Sequence, residues 1–179
     1  LRIDYHGTTD APTILNLTQH TYFNLNEGDT DVLNNTLQIK ADRYVPLEEG
    51  FFTPIGERPS VAGTPLNYRQ GQKVYAHTDN SFVRGIAPEE VMATITNAEG
   101  SLLMDVRTNH PVLHIYAGYY LPELQPPYRK KIGQSKGICF EAQGYADATK
   151  HPQFDSVELK PQEEYNYFTE FYFKEINES

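Results

Sequence analysis

Gly137-Ile138-Cys139-Phe140-Glu141-Ala142-Gln143 is the stretch on which the reading of this chain turns. Alternation with period two puts Ile138, Phe140 and Ala142 on one face and Cys139, Glu141 and Gln143 on the other, the pattern of a strand and not of a helix. The same period recurs outward from this segment. It is clearest over residues 91–96, 102–108 and 112–118 before it and 164–174 after it, and again over 1–5, 13–17 and 36–41 near the start. No segment carries a long stripe of period 3.6, so helix is expected to be scarce. Turn chemistry separates the runs, as in Asn26-Glu27-Gly28-Asp29, Glu49-Gly50, Ala98-Glu99-Gly100, Thr53-Pro54 and Thr64-Pro65. Many short strands together with 13 Tyr and 9 Phe predict an all-β chain, an antiparallel β-sandwich with an aromatic-rich core.

The last strand pattern places Tyr165, Tyr167, Thr169, Phe171 and Phe173 on one face, and Asn166, Phe168, Glu170, Tyr172 and Lys174 on the other. Aromatics on both faces predict a strand covered by two layers. No internal repeat or linker divides the chain, so residues 1–179 read as one domain. The clearest loop is 125–131, which is rich in proline and basic residues.

At 179 residues the chain is long enough to bury a sizeable core without staples. Lys and Arg number 15 against 24 Asp and Glu, a net charge of −9. A nucleic-acid partner is therefore not expected, because phosphate binding needs a positive stripe. The lone Cys139 allows no internal disulfide and no cysteine-rich zinc site. No run of about 18 apolar residues marks a membrane-spanning helix, and a membrane partner is not expected. The chain opens on Leu1 directly in a strand pattern, which has the look of the interior of a longer polypeptide.

Polar groups embedded in strands are the informative ones, since a buried imidazole or carboxylate costs stability unless something pairs or uses it. His20 follows a strand in Asn16-Leu17-Thr18-Gln19-His20-Thr21-Tyr22-Phe23-Asn24-Leu25, and Glu141 lies on the polar face of 137–143. An imidazole and a carboxylate make a usable acid and base near neutral pH. Taken alone, each reads as well as a hydrogen-bonded core histidine or a paired surface glutamate. His110 and His114 are four apart, roughly 13 Å along an extended strand, too far to share one metal ion. His77, Asp79 and Asn80 precede Phe82 in a polar stretch that reads equally as a solvated turn. The glycosylation-like triplets at Asn16 and Asn34 are short and common, and carry no functional weight.

The order of segments adds what no single motif does. NLTQHTYFNL at 16–25, ADRYVP at 41–46, VAGTPL at 61–66, DNSFV at 79–83, GICFEAQ at 137–143 and YADATKHPQF at 145–154 follow one another as in aldose 1-epimerases. The chain resembles the C-terminal portion of that family's domain, over nearly its whole length. The resemblance implies a large antiparallel β-sandwich of the galactose mutarotase type, incomplete in this chain, with an open sugar cleft. It implies exchange of the α and β anomers of galactose or glucose, without metal or other cofactor, in the cytoplasm. By the same resemblance His20 matches the general acid at the ring oxygen, Glu141 the general base at the C1 hydroxyl, and Asp79 a carboxylate that holds sugar hydroxyls. His114 stands where the family commonly has a glutamine that contacts the sugar. An arginine and a second histidine of the family's site belong to an upstream half, the expected partner of this chain besides the hexose. Two alternatives share the outline: an enzyme acting on a hexose 6-phosphate, for which Arg69, Lys73 and Arg84 are the scattered basic residues near Asp79, and a non-catalytic sugar-binding domain. The complete absence of Trp speaks against the second.

Overall fold

The computed structural model describes residues 1–125, 127 and 131–176. Its strands in chain order are β1 Arg2–Gly7, β2 Thr13–Ile14, β3 Tyr22–Phe23, β4 Thr36–Ile39, β5 Tyr44–Val45, β6 Gln72–Lys73, β7 Asp79–Val83, β8 Ala93–Thr96, β9 Leu102–Thr108, β10 Val112–Tyr116, β11 Ile138–Gln143, β12 Glu158–Leu159 and β13 Tyr165–Glu175. Among the described residues helix is limited to two 3-10 turns, Tyr68–Gln70 and Ala148–Lys150. A six-stranded sheet runs β1-β13-β9-β8-β4-β6, a five-stranded sheet β3-β11-β10-β7-β5, and β12 pairs with β2 in a small ribbon. Of the expected loop at 125–131, residues 126 and 128–130 lie outside the described residues.

The two large sheets face each other across one apolar core. Leu37, Ile39, Ile95, Met104, Val106 and Phe171 come from the six-stranded sheet, and Phe82, Leu113, Ile115, Phe140 and Ala142 from the other, all fully buried. Each large apolar side chain sequestered this way contributes roughly 1.5–3 kcal/mol. Phe23 links the layers, its ring 4.8 Å from Phe171 and 6.3 Å from Phe140. This is the antiparallel β-sandwich that the alternation predicts. β11 lies inside it as expected: Ile138, Phe140 and Ala142 enter the core, while Cys139 and Glu141 are buried on the opposite face.

Three expectations change. The final strand is not covered on both faces: Tyr172 and Lys174 are exposed, and Phe168 is shielded by the Arg2 guanidinium, 4.3 Å above its ring. Aromatics turned outward are ordinary on a protein surface and do not by themselves announce a second layer. The strand expected over 13–17 is only β2, because Asn16 gives its side-chain amide to the backbone of Gly144 and the chain leaves the ladder. The polar stretch before Phe82 is not a solvated turn from Asp79 onward. Asp79 opens β7, an interior strand between β10 and β5.

Candidate active site

Residues directly opposite one another in an antiparallel sheet project to the same face. The register of the five-stranded sheet therefore lines up Ser81, His114 and Glu141 in one row, and Asp79, Tyr116, Cys139 and Tyr22 in the next. The opposite face holds Phe82, Leu113 and Ala142, the core row. One sheet thus buries its apolar face and gathers its polar groups on the other.

His20 reaches this face from the segment ahead of β3. Gln19 donates its side-chain amide to Phe140 O at 2.6 Å and accepts the Thr21 N–H at 2.7 Å. Asn16 both accepts from the Gly144 N–H at 2.7 Å and donates to Gly144 O at 3.2 Å. These amides fasten the segment along β11 and set His20 beside Glu141, with Nε2 3.3 Å from Oε1. The His20 side chain is 52 % exposed, the Glu141 side chain only 11 %.

The two site imidazoles are held alike. His114 Nε2 lies 3.0 Å from Asp79 Oδ1 and its Nδ1 3.1 Å from Ser81 Oγ. A carboxylate only accepts, so Nε2–H donates to Asp79, and in the neutral ring Nδ1 accepts from the Ser81 hydroxyl. For His20 the carboxylate is Glu141, and the second partner is the Cys139 thiol, 3.3 Å from Nδ1. Burial, then the neighbouring Glu141, pushes the Cys139 thiol up, so it stays a protonated donor. Tyr22 beside it is pushed up to about 12, chiefly by burial.

Burial also holds the Glu141 carboxyl above its usual range; nearby His114 and His20 pull it back down, and Asp79 adds to the rise. A carboxylate made more basic in this way is a better match for a weakly acidic proton. His20, Cys139 and Glu141 offer ligand-type atoms within 4.8 Å of one another. The thiol faces Nδ1 and the carboxylate faces Nε2, however, so a single ion could not take the ring together with both. The arrangement is that of a hydrogen-bonded chain.

Around these groups lies a cleft of about 510 Å³, lined by His20, Phe52, Asp79, His114, Tyr116, Tyr120 and Glu141. All four residues singled out in the sequence meet there. Ser81, Cys139, Phe52, Tyr116 and Tyr120 were not singled out. Period-two spacing from Asp79 and Glu141 carries the signal for Ser81 and Cys139, whereas nothing local marks Phe52 or Tyr120. A larger cavity, about 660 Å³, is lined by Arg84, His110, Tyr165 and Tyr167 among others. His110 there has no hydrogen-bond partner for either ring nitrogen among the described residues, so the chemistry belongs to the smaller cleft.

A β-sandwich with two imidazole–carboxylate pairs on the open face of one sheet defines a site for moving protons on a small polar molecule. The chain belongs to the aldose 1-epimerase family, whose model matches residues 1–172. It is 31 % identical over 189 residues to the aldose 1-epimerase of Escherichia coli (strain K12), covering 97 % of this chain and 54 % of that protein. It is 30 % identical over 184 residues to the galactose mutarotase of Bos taurus, with the same coverages. Among solved structures, an aldose epimerase homologue from C. elegans superimposes with a TM-score of 0.89 at 26 % identity, covering 98 % of this chain and 56 % of that one. The chain spans about half the length of the curated relatives it matches.

Proposed function

We propose that this chain carries the acid–base half of an aldose 1-epimerase site acting on a free hexose such as galactose or glucose. The observation that carries the reading is the contact of His20 Nε2 with Glu141 Oε1 at 3.3 Å, on the floor of an open cleft. Opening a pyranose ring needs a proton at O5 while the C1 hydroxyl gives one up, and either transfer alone builds an unstable charge. His20 supplies the first proton and Glu141 removes the second, so neither charge accumulates. The bond between C1 and O5 breaks, the C1–O bond becomes the aldehyde carbonyl, and rotation about C1–C2 presents the other face. Closure runs the same transfers backwards, with the two residues in exchanged roles. Asp79, oriented by His114, accepts from sugar hydroxyls and fixes the pose.

Among the described residues no lysine or arginine lines the cleft, which favours a neutral sugar over a hexose phosphate. Since the relatives are about twice as long, full activity is proposed to need residues matching the remainder of their length, including further contacts to the sugar.

The decisive experiment follows the optical rotation of freshly dissolved α-galactose and α-glucose, with this chain alone and with the chain joined to a segment that completes the length of its relatives. Acceleration by the long form, abolished in His20→Gln and Glu141→Gln, is the expected result. A folded long form that accelerates neither sugar would sink the reading. Full efficiency of the 179-residue chain alone would remove the dependence on additional residues.

A further inference from the structure

The proposed catalytic cleft does not end at its own wall. Beside it lies a second hollow of about 440 Å³, whose lining shares Phe52, Asp79 and Tyr120 with the cleft. Beyond those three it is bounded by Tyr44, His77 and Tyr119, with the exposed Glu48 and Glu49 at the margin. The aromatic groups are arranged as a connected wall. His77 lies 3.9 Å from Tyr119 between ring centroids, Tyr119 meets Tyr120 edge-on at 5.2 Å, and Tyr120 meets Phe52 edge-on at 5.7 Å. Tyr120 is pinned in turn by its own N–H, which donates to the Tyr116 hydroxyl at 2.9 Å.

Phe52 is the unusual member. It has φ 56°, a left-handed conformation that bulky side chains rarely adopt, and its side chain stays exposed at the junction of the two hollows. The loop that carries it is closed by the Glu48 N–H to Thr53 O at 2.7 Å, with the Phe51 and Phe52 N–H groups both donating to Glu48 O. Strain of this kind persists where the surroundings over-determine it, and it collects at ligand sites. Exposed aromatic faces beside carboxylates suit one ligand chemistry in particular. A pyranose presents apolar C–H faces to rings and hydroxyl edges to acceptors. No lysine or arginine lines the second hollow among the described residues, so it offers nothing to an anionic group.

We propose that this hollow is a second sugar subsite, and that the cleft and hollow together take a reducing disaccharide, with its free anomeric carbon between His20 and Glu141 and its second ring against Tyr119 and Phe52. The inference rests on the acid–base reading of the cleft. Asp79, common to both hollows, then lies at the glycosidic junction.

Saturation-transfer NMR on the 179-residue chain tests it with lactose and maltose, using glucose and galactose as single-ring controls. The expected result is saturation of both rings of each disaccharide and a Kd roughly tenfold below that of glucose, a gain on the scale of one well-stacked ring. Tyr119→Ala should erase most of that difference and the non-reducing-ring signal. Phe52→Gly, which removes the ring and suits the left-handed backbone, gives a second test should Tyr119→Ala fold poorly. Equal affinity for glucose and disaccharide, saturation of the reducing ring alone, or a disaccharide advantage untouched by both variants would overturn the subsite and leave the cleft reading standing. If glucose and galactose also fail to saturate, the cleft reading falls with it.

Discussion

His114 and His110 are four residues apart and live in opposite worlds. His114 sits on β10 with each ring nitrogen matched, one to Asp79 and one to Ser81, on a face open to solvent. His110 is fully buried, stacked on Tyr167 at 4.3 Å with 14° between ring planes, and flanked by Tyr5 at 5.6 Å. Neither of its nitrogens has a hydrogen-bond partner among the described residues. The first environment keeps imidazole chemistry available. The second treats the ring as an aromatic packing unit and makes its charged form costly, so that burial, with Arg84 adding repulsion, lowers the His110 pKa to about 4. A histidine in a strand-rich sequence thus says little until its partners are known.

The comparison can be broken most forcefully by kinetics. His20→Gln and Glu141→Gln are each expected to lower turnover by roughly 10² to 10⁴ in the completed enzyme while leaving its melting temperature nearly unchanged. His110→Phe should do neither harm, because removing two unpaired buried polar atoms in favour of an isosteric ring is neutral or stabilising. A large fall in turnover for His110→Phe, measured by polarimetry, would erase the distinction between the two regions.

The next effect in size is acid lability. His110 has a folded pKa below its unfolded value of 6.5, so the unfolded state binds the extra proton first. Its contribution is fully present above pH 6.5 and is lost as the pH falls to about 4, a change of about 3 kcal/mol. Urea titrations across that window should show the loss in the parent chain and a flatter profile in His110→Phe. An identical slope in both would mean that His110 is not the buried base.

Smaller again is the structural cost of breaking the paired histidine. His114→Leu leaves Asp79 and Ser81 without their ring partner in a partly solvated cleft, and should cost about 1 kcal/mol. Denaturant midpoints of this variant and of His110→Phe should move in opposite directions. The finest effect lies in the pH dependence of turnover. Glu141 must be ionised to act as a base, and its raised pKa places the loss of activity on acidification above the range of an ordinary glutamate. An acid limb centred at or below 4.5, the unperturbed value, would show that burial does not govern this carboxyl.

What the sequence discloses follows the same division. Strands with one apolar face are legible by their period, and β9 and β11 appear within a residue of their expected limits. The two-residue strands β3, β5, β6 and β12 are too short to have a period at all. β7 is hidden for another reason: Asp79 and Ser81 alternate outward into the cleft, so the functional face reads as a polar turn. His20 and Glu141 are recognisable by chemical type and by their place in the ordered motifs. Their contact across 3.3 Å, and the Ser81 and Cys139 partners behind the imidazoles, depend on register between strands that local sequence does not state.

The fastening of His20 by side-chain amides also bears on motion. Glu141 rides on a strand paired on both sides and buried in the core, so its amide should exchange with solvent only through the largest openings of the fold. The segment carrying His20 is tied to that strand by Asn16 and Gln19 alone ahead of the two residues of β3, and can lift without unravelling either sheet. The two partners in proton transfer accordingly belong to different cooperative units, one slow and one quick to open, and hydrogen exchange would separate them by protection before any sugar is added.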